Sequence, residues 1–161
     1  MKGQDALFSK ASDEWETPQW LFDKLHEQFN FECDVAATNQ NSKCFYYMDS
    51  SLDIPWDTYE GACFLNPPYS KVAAFMKKAY EESVACGVTV VCLIPSRTDT
   101  AYWHNYCMKA SEIRFIKGRL KFTLNKVEMK NGATFPSCIV VFDERMQRDN
   151  WNNPLMYQLI K

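Results

Sequence analysis

The sequence has little of what marks a metal-binding or membrane-spanning protein. Histidine occurs only twice among 161 residues, and the seven cysteines are scattered without a Cys-x-x-Cys pair. We therefore expect no metal site, and free thiols in a reducing compartment. No apolar run approaches the roughly 20 residues of a membrane span, and no signal-peptide pattern is present. These absences indicate a cytoplasmic protein.

The chain also lacks an excess of positive charge. It has 18 Lys and Arg residues against 20 Asp and Glu residues, a net charge of −2. Such a chain exerts no global attraction on nucleic acid, so any contact with DNA has to come from a local basic patch. The length suits one domain over residues 1–161, with a loose N-terminal tail at 1–12 and a C-terminal appendage at 144–161.

Buried strands alternate with helices along the chain. Residues 88–94 form an unbroken apolar run, which is typical of a central parallel strand covered on both faces. We predict an α/β fold with a mostly parallel sheet, whose last strand runs antiparallel to the fifth because only a loop joins them. Further strands are predicted at 31–37, 44–48, 62–65, 112–116 (continued over 118–122 past a bulge) and 135–142, and helices at 18–29, 70–86 and 98–110.

Several residues are predicted to begin or end these helices. Thr17 is a suitable N-cap with Pro18 at the first helical position, although a ligand at this helix start is an equally good interpretation. Ser70 is the predicted N-cap of the second helix, and Thr98 or Asp99 that of the third. Gly87 is predicted to end the second helix.

The sequence Asn66-Pro67-Pro68-Tyr69 is placed just past the carboxyl end of the third predicted strand, where open α/β sheets bind ligands. Its chemistry suits methylation of a conjugated amino group. Asn66 and a backbone carbonyl at Pro67 can accept the two amino hydrogens, and the prolines remove backbone donors. Tyr69 offers a flat face on which an extruded base can stack. The alternative is a proline-rich strand exit with a packed tyrosine.

Other polar residues are predicted near the same edge of the sheet. Asp34 follows the first strand and can accept hydrogen bonds from a ligand, or cap its own turn. Either Asp49 or Asp53 could meet a cofactor, although solvated loop aspartates are commoner. Arg97 follows the central strand and is a candidate for a phosphate or base contact, or else a surface arginine.

Alternating cations form the one dense basic patch of the sequence. Lys117, Arg119 and Lys121 share one face if the backbone is extended. A face that contacts DNA and a solvated strand face are equally good interpretations of this pattern.

Taken in order, these motifs resemble the phage-type DNA N6-adenine methyltransferase (Dam) family, which is known from bacteriophages and prophages. The likeness covers roughly residues 13–143. It is carried by Trp15-Glu16-Thr17-Pro18, Asp34-Val35-Ala36-Ala37, Asn66-Pro67-Pro68-Tyr69, Leu93-Ile94-Pro95-Ser96-Arg97-Thr98-Asp99-Thr100, Gly118-Arg119-Leu120-Lys121-Phe122 and Phe135-Pro136-Ser137.

The resemblance implies a Rossmann-like methyltransferase fold, S-adenosyl-L-methionine as methyl donor, and transfer to N6 of adenine in DNA, in the host-cell cytoplasm if the protein is phage-encoded. It assigns the catalytic motif to Asn66, Pro67, Pro68 and Tyr69. Residues expected to bind the cofactor are Trp15, Thr17, Pro18, Asp34, Ala36 and Asp53, and residues expected to bind DNA are Arg97, Lys117, Arg119 and Lys121.

One departure from typical methyltransferases lies in the loop after the first strand. This loop has no glycine, and the whole chain holds only five. Two alternatives also stay open: a methyltransferase of the same fold that acts on an RNA base or a protein amide, and a catalytically inactive nucleic-acid-binding module.

Overall fold

The structure of the protein is a computed structural model that describes residues 13–49, 51–146 and 155–157. Its helices are α1 (Gln19–Phe29), α2 (Val72–Cys86) and α3 (Ala101–Asn105), with 3-10 turns at Ser51–Asp53, Tyr69–Lys71, Cys107–Lys109 and Glu144–Met146. Its strands are β1 (Phe31–Asp34), β2 (Tyr46–Tyr47), β3 (Ala62–Leu65), β4 (Val90–Pro95), β5 (Glu112–Phe115), β6 (Thr123–Leu124), β7 (Val127–Glu128), β8 (Ser137–Phe142) and β9 (Leu155–Tyr157). The predicted tail at 1–12 lies outside the described residues.

Seven strands form one sheet in the order β2-β1-β3-β4-β8-β5-β9. Strands β2, β1, β3 and β4 pair in parallel, whereas β8 runs antiparallel to both β4 and β5. The fold class is therefore confirmed: a Rossmann-like α/β sheet, mostly parallel, in which the last predicted strand is antiparallel. The structure adds β9, parallel to β5, inside the predicted C-terminal appendage.

The core lies on both faces of the sheet. Every residue of β3, β4 and β8 is buried, as expected for central strands that are covered on both sides. Helix α1 turns Leu21 and Leu25 toward this core, and α2 contributes Phe75 and Met76. Gly87 ends α2 in the left-handed region at φ 69°, which confirms the predicted helix end.

The predicted helix caps are wrong in detail. Pro18, not Thr17, occupies the N-cap position of α1, and no side chain caps that helix. Ser70 lies inside a 3-10 turn that precedes α2, and its hydroxyl donates to Asp13 instead. The third helix begins only at Ala101, after Thr100, whose hydroxyl donates to the Arg97 carbonyl.

The predicted continuation of the fifth strand is also wrong. Residues 116–122 form no regular strand: the chain bends at 117–118, where Gly118 has a φ of 79°, and the segment pairs with the returning chain only at scattered points. The chain then forms the two-residue hairpin β6–β7, in which Asn125 and Lys126 both have positive φ, at 50° and 65°. Positive φ at both central residues defines a type I′ turn, whose usual signal is Asn-Gly rather than Asn-Lys.

Candidate active site

A cavity of about 380 Å³ opens at the carboxyl edge of the sheet, beside the ends of β1 and β3. Strands β1 and β3 are direct neighbours, so Asp34 and Asn66 reach the same edge. The described residues that line the cavity are Asp13, Trp15, Glu16, Thr17, Asp34, Ala36, Ala37, Thr38, Asn41, Lys43, Asp49, Leu52, Asp53, Phe64, Asn66, Pro68, Lys71 and Phe75.

Asn66 is held in one orientation by the chain's N-terminal segment. Its side-chain Nδ2 donates a hydrogen bond of 2.9 Å to the Trp15 carbonyl. Because the nitrogen is committed to this bond, Oδ1 is the atom left to accept from a ligand. Of the two proline carbonyls that follow, that of Pro68 already accepts from the Lys71 N–H.

Asp34 is a buried carboxyl in the cavity wall, with only 4% of its surface exposed. Its oxygens accept from the backbone N–H groups of Ala36, at 3.4 Å, and Lys43, at 3.1 Å. Burial raises its pKa to about 6, and these two hydrogen bonds and the Lys43 charge offset only part of the rise. Asp34 thus caps its own turn and also lines the cavity, and its hydrogen bond to a ligand stays a prediction.

Thr17 carries a buried hydroxyl with no partner. The residue is 2% exposed, it lines the cavity, and its Oγ1 makes no hydrogen bond in the described part of the protein. A buried hydroxyl without a partner costs about 1–3 kcal/mol, so this atom indicates a ligand group that is able to complete the bond.

The cavity wall is strongly acidic. Five carboxylates face only two lysines, Lys43 and Lys71, among the lining residues. This balance favours a ligand that carries positive charge. The five acids are Asp13, Glu16, Asp34, Asp49 and Asp53.

Tyr69 lies in an aromatic cluster. It is 6% exposed and meets the rings of Trp15, Phe122 and Phe135 at steep angles, with centroid distances of 5.8, 6.1 and 5.1 Å. Burial raises the pKa of its hydroxyl, which has no hydrogen-bond partner among the described residues. Of these four residues, Trp15 also lines the cavity.

Residues 13–17, which we call the N-terminal strap, assemble this site. Asp13 accepts from the backbone N–H of Ser70, at 3.0 Å, and from its hydroxyl. Glu16 and Thr123 exchange two backbone hydrogen bonds of 2.8 and 3.0 Å. The strap therefore ties the Asn66–Tyr69 turn to the β6–β7 hairpin.

The structure brings most of the predicted site residues together. Asn66 and Pro68 line the cavity, whereas Pro67 and Tyr69 are buried and do not. Of the predicted cofactor residues, Pro18 is buried away from the cavity wall, and the others line it: Trp15, Thr17, Asp34, Ala36 and Asp53.

Sequence reasoning missed several lining residues. Asp13 lies just past the predicted tail, and its link to Ser70 joins positions 57 residues apart. Lys43 belongs to a polar loop that folds back to Asp34. No local pattern marks either residue as part of the site.

The predicted DNA-binding residues form two separate groups. Arg97 pairs with Asp99 at 3.6 Å and lines a small cavity of about 220 Å³ beside Tyr69 and Tyr102. Lys117, Arg119 and Lys121 are exposed and border one groove together, although the backbone between them is not extended throughout. Their binding of DNA stays a prediction.

Sequence comparisons bear on this site. A family model described as DNA N-6-adenine-methyltransferase (Dam) matches residues 4–157. The chain belongs to the DNA N-6-adenine-methyltransferase (Dam) family. The matched residues include the whole cavity wall and the groove, so the Dam family resemblance found in the motifs is confirmed.

Two relatives support the assignment to the Dam family. The DNA N-6-adenine-methyltransferase of Haemophilus phage HP1 (strain HP1c1) is 30% identical over 145 residues, covering 85% of this chain and 83% of the relative. The DNA N-6-adenine-methyltransferase of Escherichia phage T1 is 30% identical over 111 residues, covering 67% of this chain and 46% of the relative.

Two further observations concern metals and membranes. Within residues 13–49, 51–146 and 155–157, no group of three or more His, Cys, Asp or Glu residues could hold a metal ion. None of the helices in this part of the chain has the length and apolar character needed to cross a membrane.

Proposed function

We propose that the protein transfers a methyl group from S-adenosyl-L-methionine to N6 of adenine in DNA. The observation that carries this proposal is the fixed amide of Asn66, which lines an acidic cavity just past β3 and whose Oδ1 accepts no hydrogen bond among the described residues. Membership in the Dam family supports the choice of reaction.

The cavity residues fit the proposed cofactor. S-adenosyl-L-methionine carries a sulfonium and an ammonium, which suit an acidic wall, and ribose hydroxyls that suit carboxylate acceptors. Asp34 would accept from an ammonium or hydroxyl donor, and the unpartnered Thr17 hydroxyl would complete a hydrogen bond to the ligand. Ala36, a small residue at the end of β1, allows a ligand to approach the backbone. When bound, the cofactor supplies an electrophilic methyl group on sulfur.

The protein's contribution is to position the acceptor nitrogen. An exocyclic amino group is a poor nucleophile because its lone pair is conjugated with the ring. Asn66 Oδ1 and the Pro67 carbonyl accept its two hydrogens and favour a pyramidal nitrogen whose lone pair is free to attack. The nitrogen then gains the methyl group and releases a proton to water. Preorganised acceptors and positioning supply the rate gain, without an activated nucleophile.

The target adenine reaches this site by leaving the duplex stack. Tyr69 is the stacking partner that the motif supplies, but three aromatic rings surround it. Tyr69 also borders the small cavity beside Arg97 and Tyr102, so a base that stacks on it would enter from that side or displace one of the three rings.

The test is transfer of labelled methyl from S-adenosyl-L-methionine to unmethylated DNA, followed by digestion to nucleosides. Label is expected in N6-methyladenosine. Cofactor binding without label in DNA would contradict the proposed acceptor and favour an RNA base or a protein amide. Failure to bind the cofactor would favour the inactive nucleic-acid-binding module.

Asn66→Ala separates the proposed mechanism from a merely structural role. Removing one preorganised polar group at a reacting centre typically costs about 100- to 1,000-fold in turnover, so kcat should fall by this much. Calorimetry should find cofactor binding close to wild type, because Asn66 acts on the acceptor. Asn39→Ala, at an exposed asparagine that does not line the cavity, is the matched control. Wild-type turnover in Asn66→Ala would refute the mechanism.

A further inference from the structure

A groove of about 370 Å³ lies outside the cavity, on the surface formed by α1 and the segment 116–128. We call it the Trp20 groove, because its most unusual member is Trp20, an indole with 49% of its surface exposed on the second residue of α1. Sequence reasoning gave this tryptophan no role. The groove is lined by Trp20, Ile116, Lys117, Arg119, Leu120, Lys121 and Glu128.

The cations of the Trp20 groove are only partly neutralised. Lys121 pairs with Glu128 at 3.6 Å, in a contact between exposed side chains. Lys117 and Arg119 form no ion pair within the described part of the chain. The whole protein has a net charge of −2, but three cations lie around one exposed indole here. Such a local cluster of positive charge favours binding of a polyanion.

The groove is a fixed surface because the returning chain holds its backbone. The Ile116 N–H donates to the Ser137 carbonyl at 3.2 Å, and the Leu120 carbonyl accepts from the Ala133 N–H at 2.8 Å. Ile116 and Leu120 are themselves buried, so they form an apolar floor. Few surface segments combine such a floor with unpaired cations, and a sugar–phosphate backbone offers both matching chemistries.

The Trp20 groove adjoins the candidate active site through the N-terminal strap. Phe122, directly after Lys121 of the groove, stacks on Trp15 with a centroid distance of 5.2 Å. The neighbouring Thr123 pairs with Glu16, and Trp20 follows Thr17 by three residues. A duplex that delivers a base to Asn66 would therefore pass close to this groove.

We propose that the Trp20 groove binds the sugar–phosphate backbone of the DNA that flanks the target base. The indole of Trp20 packs against a deoxyribose, and Lys117 and Arg119 neutralise phosphates on either side of it. The contact is independent of base sequence, so it positions the duplex and leaves base readout to other residues. This inference rests on the proposed function, since it assumes that DNA is the substrate.

The experiment measures binding of a labelled 30-base-pair mixed-sequence duplex by fluorescence anisotropy across a series of salt concentrations. Trp20→Ala should weaken binding about tenfold with an unchanged salt slope, because it removes packing and no charge. A plot of log K against log salt has a negative slope. Arg119→Gln should make this slope less steep by about 1, because one phosphate contact is lost. Trp20→Phe should keep most of the affinity.

Two controls make the result specific to the groove. Lys77→Gln removes an exposed lysine from α2, far along the chain from the groove, and should bind as wild type does. Thermal melting checks that Trp20→Ala is folded at the temperature of the binding assay, since the buried half of this side chain contributes to stability and its loss should lower the Tm.

The outcomes separate this inference from the proposed function. If Trp20→Ala and Arg119→Gln both keep the wild-type Kd and salt slope, the groove is not a DNA site, even where methyl transfer to DNA is normal. An exposed tryptophan that serves a protein partner would give this result. If both variants lose affinity while wild-type protein transfers no methyl group to DNA, the groove binds DNA and the proposed reaction is wrong.

Discussion

At the residue scale, two buried polar side chains in the cavity wall, Thr17 and Asp34, destabilise the folded protein when no ligand is bound. Thr17 lacks a hydrogen-bond partner among the described residues, and Asp34 is a carboxyl whose burial disfavours its charged form. Both side chains line the same cavity. A ligand with matching donors would remove both penalties, so stability and ligand affinity should change in opposite directions when either group is replaced.

Thr17→Val tests this relation directly. Valine has nearly the shape of threonine without the hydroxyl, so the free energy of unfolding without cofactor should rise by about 1 kcal/mol. The Kd for S-adenosyl-L-methionine should increase about tenfold, because the ligand loses one hydrogen bond. Urea denaturation and calorimetry measure the two effects. An unchanged Kd would contradict the assignment of Thr17 to the cofactor.

Asp34 should make stability depend on pH in a defined window. Its pKa is raised from 3.8 to about 6 in the folded protein, so the unfolded chain loses this proton first as pH rises. The stability that the group contributes is complete below pH 3.8 and is lost as pH rises through about 6, an effect on the order of 3 kcal/mol.

The measurement for Asp34 is the free energy of unfolding of Asp34→Asn relative to wild type between pH 4 and 8. Asparagine cannot ionise, so the variant should gain on the wild type as pH rises and level off above about pH 6. The absolute difference also contains altered hydrogen bonds to Ala36 and Lys43, but these do not titrate in this window. A pH-independent difference would contradict the raised pKa.

At the scale of elements, the segment 116–136 depends on two glycines for different reasons. A Cβ on Gly132 would lie 2.6 Å from the Cβ of Arg119, whereas one on Gly118 would meet nothing within 4 Å. Gly118 has φ of 79°, so alanine there has only a conformational cost of about 1 kcal/mol.

Gly132→Ala should therefore destabilise the protein more than Gly118→Ala does. The clash forces the backbone of the groove segment to shift, which we expect to cost about 2 kcal/mol by urea denaturation. The same shift moves Arg119, so Gly132→Ala should also weaken binding of duplex DNA. A larger loss of stability in Gly118→Ala would contradict this account of the packing.

The elements that the sequence predicts well are those set by local pattern. The strand over 88–94, the helix end at Gly87 and the antiparallel last strand follow from apolar runs, a left-handed cap and a short connection. The predicted cap at Ser70 is wrong because a tertiary contact overrides local preference, whereas the Thr17 hydroxyl is buried in the cavity wall and caps nothing among the described residues. Ser70 finds its partner in Asp13, 57 residues away.

The same distinction between local pattern and tertiary contact applies to the candidate site. Asp34 and Asn66 could be placed because each follows a recognisable strand, and the carboxyl ends of parallel strands share an edge. The sequence left a packed Tyr69 as one of two alternatives and could not decide between them, because the rings that bury it come from distant parts of the chain. The acidity of the cavity likewise appears only when the strap is folded onto the sheet.

At the scale of the whole molecule, cysteine reactivity reports on the global fold. Five of the seven cysteines are buried, and burial raises the pKa of their thiols, which lowers the reactive thiolate fraction. Cys44 is half-buried, and Cys86 is exposed. The buried five are Cys33, Cys63, Cys92, Cys107 and Cys138.

A thiol reagent added to the native protein should therefore react rapidly at one site, more slowly at a second, and at the other five only as the protein unfolds. Absorbance of the released chromophore gives the number of thiols in each phase. Cys86→Ser should remove the rapid phase and leave the others. Rapid reaction of three or more thiols would contradict the packing of the sheet.

The contacts of the N-terminal strap can form only in a certain order while the chain is being synthesised. Ribosomes release the chain from its N-terminus, so Glu16 emerges more than a hundred residues before Thr123, the residue that fixes it by a pair of backbone bonds. Until then the strap is held only by its contacts with the Asn66–Tyr69 turn and Ser70, and the Trp15 carbonyl lacks the support of the hairpin. Strands β1 to β4 can assemble earlier on the nascent chain, but the complete set of strap contacts forms only after the β6–β7 hairpin has been synthesised.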